Sequence, residues 1–226
     1  MRSLRRLGLT LTAAAMLAAI APRAARADDD LDLSVGPIES ISGAICVSYE
    51  VGQPFTPRLE ETLLQGMPAT VTFEVGLWKR RAFWFDKLVL ALRSEHKVVY
   101  DDWAKSFRIR SGQSPPQNRV APNLDSLRNL LFAARRIPIA EAAMLDSTGT
   151  YYVSVRVTIR PVAVEDLGEI ESWLAGESPG PQGQGGIPRY LLGLAVNLSG
   201  LGDRTAIKKS ERFAPARLEG ASSTSR

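Results

Sequence analysis

The most regular alternation in the chain is Tyr151-Tyr152-Val153-Ser154-Val155-Arg156-Val157-Thr158-Ile159-Arg160. Tyr151, Val153, Val155, Val157 and Ile159 form one apolar row, and Tyr152, Ser154, Arg156, Thr158 and Arg160 form the alternate, more polar row. Strict period two in β-branched and aromatic residues reads as a strand with one buried and one wetted face. Half-wetted strands belong to antiparallel sheets, because parallel sheets bury both faces.

Upstream the same period returns. Ile41, Gly43, Ile45, Val47, Tyr49 and Val51 alternate with Ser42, Ala44, Cys46, Ser48 and Glu50. Val71, Phe73, Val75 and Leu77 alternate with Thr70, Thr72, Glu74 and Gly76. Leu88, Leu90, Leu92, His96, Val98 and Tyr100 continue the theme, and Phe107 and Ile109 alternate with Arg108 and Arg110. The short connections between these segments favour hairpins over crossovers.

Helices punctuate the strands. Residues 58–65 suit one or two turns stopped by Gly66. After a Pro/Gln/Asn-rich loop at 113–122, Asn123 can cap a helix whose stripe is Leu124, Leu127, Leu130, Leu131 and Ala134. Arg135 and Arg136 suit the negative end of that helix. A further helical turn over 139–145, opened by Pro138, is expected, and 164–175 reads as an amphipathic helix ended by Gly176. The resulting expectation is a mainly β fold with helices, a β-rich α+β class. An antiparallel β-sandwich-like domain over 39–176 carries two or three packed helices, with a single curved sheet covered on one face as the alternative.

Residues 177–188 are Gly/Pro-rich and read as a linker, 189–213 as an amphipathic segment, and 214–226 as a disordered tail. At the other end, Arg2, Arg5 and Arg6, the apolar run 7–21 and Ala25-Arg26-Ala27 have the three parts of a signal peptide, in order. Cleavage after Ala27 leaves an acidic tail over 28–38 and places the mature chain in the periplasm. The 226-residue chain carries a formal charge of +4, and the first 27 residues hold five arginines and no acid. The basic excess therefore leaves with the signal, and nucleic acid is not an expected partner.

The segment from Ile41 to Arg160 resembles an exported bacterial family known as domain of unknown function family 4390. The resemblance is carried by Ile45-Cys46-Val47-Ser48-Tyr49, by Leu63-Leu64-Gln65-Gly66-Met67-Pro68, by the Trp-rich basic turn from Trp78 to Lys87, and by Tyr151-Tyr152-Val153-Ser154-Val155-Arg156-Val157. It implies compartment and fold and assigns no catalytic residue. In some bacteria proteins of this family look to be encoded near sensor histidine kinases, and the resemblance so implies an accessory role in envelope sensing.

Catalytic equipment is sparse. One histidine, His96, sits in register with apolar strand residues, and the one cysteine, Cys46, has no partner for an internal disulfide. No nucleophile elbow, phosphate loop or HExxH motif occurs, so no catalytic residue, cofactor or metal is expected. Two surfaces stand out. The turn bearing Trp78, Lys79, Arg80, Arg81, Phe83, Trp84 and Phe85 combines aromatics with cations where turns ordinarily carry Gly, Asn or Asp. It is the candidate interface, set against the reading that its aromatics fold back to close one end of the core. The outward row Arg93, Lys97, Arg108, Arg110, Arg156 and Arg160 is a candidate basic face, set against the reading of a solvated face salted by Glu74 and Glu95. The functional expectation is an exported, non-enzymatic binding or accessory protein of the envelope, its partner an envelope protein such as a sensor kinase, or the membrane surface. An envelope hydrolase using strand carboxylates, Glu74, Glu95, Asp101 and Asp102 among them, and a purely structural protein are the competing classes.

Overall fold

The structure, a computed structural model, describes residues 31–112, 115–161 and 202–222. It is a β-rich α+β fold built on two antiparallel sheets. Strands β1 (Leu33–Ile41), β2 (Ala44–Val51) and β7 (Arg135–Glu141) form a three-stranded sheet in the order β1-β2-β7. The larger sheet runs β6-β5-β4-β3-β8-β9, from β3 (Ala69–Lys79), β4 (Lys87–Asp101), β5 (Ser106–Ser111), β6 (Asn118–Ala121), β8 (Tyr151–Pro161) and β9 (Arg204–Lys209).

The alternation read from the sequence is what joins the sheets. Ile45, Val47, Tyr49 and Val51 of β2 face Val71, Phe73, Val75 and Leu77 of β3 across one core, with Val153, Val155, Val157 and Ile159 beside them. The rings of Tyr49 and Phe73 meet at 5.9 Å between the sheets. Strand β8 lies inside the larger sheet, bonded to β3 on one side and β9 on the other, and its inward row is fully buried.

Helix α1 (Pro57–Leu64) begins where Thr56 accepts the amide of Leu59, and Pro57 supplies a residue whose missing N–H costs nothing at that position. It ends before Gly66, whose φ of +85° only glycine adopts without strain. Helix α2 (Leu124–Phe132) is capped by Asn123, which accepts the amide of Ser126 at 2.8 Å, and it buries Leu127, Leu131 and Phe132. Helix α3 (Pro215–Ser222) lies beside β1 and packs Leu218 on the core.

Four segments differ from the sequence expectation. Residues 33–38 of the expected acidic tail belong to β1, whose alternation is interrupted by a register shift between Val35 and Ile38. Residues 135–141 are strand β7, not a helix end and a helical turn. Pro138 sits on an edge strand, where a missing donor is tolerated, and only Ala142–Met144 make a helical turn. The loop after β5 contains the short strand β6. Residues 204–209 form β9 and 215–222 form α3, in place of an amphipathic segment and a disordered tail. The expected signal peptide, the 164–175 helix, the 177–188 linker and the apolar run at 189–201 lie outside the described residues.

Candidate functional site

The β3–β4 hairpin carries the aromatic turn. Its base is tied into the sheet: the Trp78 indole N–H donates to Ser154 Oγ at 2.8 Å, and the ring stacks on Tyr152 at 6.4 Å and 6°. Lys79 pairs with Asp146 at 2.8 Å, on the connection leading into β8. That bond, with two more from Thr148, holds the Asp146 carboxyl down to about 2. At the loop's far side Asp86 accepts the Arg81 amide through one oxygen and the Tyr152 hydroxyl, at 3.0 Å, through the other.

With both ends anchored, the intervening aromatics project outward. Phe83 is 98% exposed, Trp84 74% and Phe85 87%, so these three do not close the core. Arg80 and Arg81 are exposed next to them. Trp78 and Lys79, grouped with them by sequence, belong to the sheet instead.

Cross-strand register places all six residues of the expected basic row on the outer face of the larger sheet. Arg93 and Arg156 lie opposite Glu74, Arg160 opposite Thr70, Lys97 opposite both Thr70 and Arg110, and Arg108 opposite Val99. The face is not uniformly positive. Arg93 reaches Glu74 and Glu95 at 3.5 and 3.3 Å, Arg156 reaches Glu74 at 3.5 Å, Arg160 pairs with Asp203 and Arg108 with Asp101. Exposed pairs of this kind contribute little to stability and cancel much of the local field.

His96 points the other way. Strand alternation sends it inward while Glu74 and Glu95 face solvent, so these carboxylates do not join it. It lines a cavity of about 570 Å³ between the larger sheet, α2 and β7. Phe73, Val75, Leu92 and Ile109 form the floor, and Leu131 and Ile137 the opposite wall. Ser94, Ser111 and Gln117 add polar groups, and Arg119, Arg135 and Arg136 stand at the mouth. No carboxylate is among the described residues that line it. Among the described residues no cluster of His, Cys, Asp and Glu could hold a metal ion.

Two titratable groups feel this cavity. Burial lowers the His96 pKa, and the Arg135 and Arg119 charges lower it further against a small opposing effect of Glu95. Burial pushes the Tyr49 phenol up to about 12, opposed by Arg135. A histidine lowered in the folded state binds fewer protons there than in the unfolded chain. Stability is therefore fully present above the unfolded value near 6.5 and falls as pH drops from there toward the folded pKa. We expect denaturant midpoints to decline between pH 7.5 and 5.5, and the decline to shrink in His96→Gln. An equal decline in the variant would show that His96 is not the cause.

Sequence reasoning missed this cavity. Arg135 and Arg136 carry it, yet adjacent to a leucine-rich helix they read as helix-terminal charges.

A family model described as Domain of unknown function (DUF4390) matches residues 30–164. The chain belongs to this family. The DUF4390 match covers both sheets from β1 to β8 and includes the aromatic hairpin and the cavity, while β9 and α3 lie beyond it. No curated protein and no solved structure matches the chain.

Proposed function

We propose that this DUF4390 protein is an exported, non-enzymatic binding protein of the bacterial envelope that docks through its aromatic hairpin tip on an apolar, negatively charged surface, the anionic face of a membrane. The observation that carries the reading is the near-complete exposure of Phe83, Trp84 and Phe85 beside Arg80 and Arg81. Three large aromatics left in water contribute nothing to the folding of a monomer. At a bilayer interface the rings enter the headgroup boundary and the cations meet anionic lipid. The anchored base at Trp78, Lys79 and Asp86 supports it, because a held loop loses less entropy on docking. Separation of His96 from Glu74 and Glu95 supports binding over carboxylate hydrolysis on this scaffold.

The double variant Phe83→Ala/Trp84→Ala tests the reading. Both side chains are exposed, so thermal stability should stay within about 0.5 kcal/mol of wild type. Sedimentation with phosphatidylglycerol vesicles should fall at least tenfold. Loss of several kcal/mol of stability would return the aromatics to the core, and wild-type vesicle binding by the variant would overturn the docking role. Failure of the wild type to bind vesicles, with retention of an envelope protein that the variant loses, would move the tip's partner from lipid to protein.

A further inference from the structure

The cavity between the sheets asks for an occupant of its own. Its floor and wall are aliphatic and aromatic side chains, its mouth is cationic, and its volume of about 570 Å³ is that of a small-molecule site, within the roughly 300–1,000 Å³ such sites span. The charge at the mouth is less cancelled than on the outer face. Arg136 pairs with Glu39, and Arg93 leans to Glu74 and Glu95, but neither Arg119 nor Arg135 pairs with a carboxylate among the described residues. The Arg135 guanidinium does donate to the Leu130 carbonyl, which fixes it at the end of α2.

We infer that this cavity binds a single-chain amphiphile with an anionic head, its tail on the Phe73 floor and its head between Arg119 and Arg135. An apolar chain suits the floor, since Phe73, Val75, Leu92 and Ile109 offer no hydrogen bond. A carboxylate or phosphate head suits the guanidiniums, which bond such anions in a forked geometry. Both arginines also act on His96 within the cavity, so their positive field reaches inward from the mouth. A neutral Tyr49 phenol and the Ser94 and Ser111 hydroxyls lie in the same lining. A cationic amphiphile of equal length has the same tail and meets the wrong charge. This site is separate from the hairpin tip, and its existence does not depend on the tip's role.

Laurate, dodecyl phosphate and dodecyltrimethylammonium are the probes, each titrated into the full exported chain below its micelle concentration. Laurate or dodecyl phosphate, or both, should bind saturably at one site, and dodecyltrimethylammonium at least about tenfold more weakly, the loss of a charged hydrogen bond. Binding by laurate alone would identify the head as a carboxylate, and by dodecyl phosphate alone as a phosphate. His96, the chain's one histidine, supplies an internal reporter. Its NMR titration midpoint should rise on binding, because an anion nearby favours the charged imidazolium. Arg119→Gln/Arg135→Gln should leave the chain folded, its thermal midpoint lowered only by the lost contact of Arg135 with the Leu130 carbonyl, while weakening the anionic probes by about a hundredfold. Phe83→Ala/Trp84→Ala should leave their affinity unchanged. Equal binding of the cationic probe, an unmoved His96 titration, wild-type affinity in the double-arginine variant or lost affinity in the hairpin variant would each overturn the site.

Discussion

A chain ended after residue 201 is expected to unfold at much lower denaturant than the full chain, or to associate, although the whole DUF4390 match is retained. The cut removes β9, which pairs with β8 from Ile159 to Ser154, and Arg204, whose guanidinium donates to the Pro54 carbonyl at 2.7 Å and that of Gln53 at 3.2 Å. It also removes Phe213, buried against the Tyr151 ring at 6.0 Å and bridged to its backbone. Loss of one buried phenylalanine side chain costs about 3–5 kcal/mol, against a typical whole-domain stability of about 5–15 kcal/mol. The strand left at the edge among the described residues would be β8, whose eleven residues include a fully buried apolar row, and a long exposed apolar edge invites pairing with another copy. Urea titration with size-exclusion chromatography reads both effects. A truncated monomer with the full chain's midpoint would show that β9 and α3 are accessory.

Phe73→Ala should be the most damaging single substitution of the floor residues, at about 3–5 kcal/mol. Phe73 is 4% exposed and meets Tyr49 at 5.9 Å, Phe132 at 5.8 Å and His96 at 5.9 Å, so one ring touches β2, α2 and β4 together. Removing it leaves a hole that three separate elements would have to collapse into, and packed sheets relax only partly. The same change admits water beside His96, which should move its titration midpoint upward toward the ordinary value. Phe73→Leu should fall between alanine and wild type in both measurements. A small stability loss in the alanine variant would mean that the sheets meet less closely than the ring distances indicate.

Strand β8 was legible because every second residue is β-branched or aromatic, and the same holds for β2 and β3. Strands β1 and β9 were not, for different reasons. In β1 the Gly36-Pro37 pair and a register shift break the period. In β9 four of the six residues of Arg-Thr-Ala-Ile-Lys-Lys are polar, as suits an edge strand, and its one deeply buried residue is an arginine satisfied by backbone carbonyls. Strand β7 was hidden by the helix before it: Arg135-Arg136 continue a helical charge pattern, and Pro138 reads as the opening of a further helical turn. The outward basic row followed from alternation, since residues opposite one another share a face. The cavity did not, because it depends on how far apart two sheets stand, a distance that no local period encodes.

The proline placement in the smaller sheet bears on how this molecule avoids its neighbours in a concentrated solution. Pro37 lies on β1 and Pro138 on β7, the two outer strands, so each rim lacks a backbone donor where a foreign strand would need one. The larger sheet ends in the short β6 and the lysine-bearing β9, which deter addition by brevity and by charge. Among the described strands one length is less guarded. Strand β5 covers β4 only from His96 to Asp101, and the stretch toward the hairpin carries Leu88, Val89 and Leu92 at 37–45% exposure. Self-assembly of this protein is expected to begin there, and Val89→Lys should lower the dimer or fibre fraction of a concentrated sample; an unchanged fraction would place the start elsewhere.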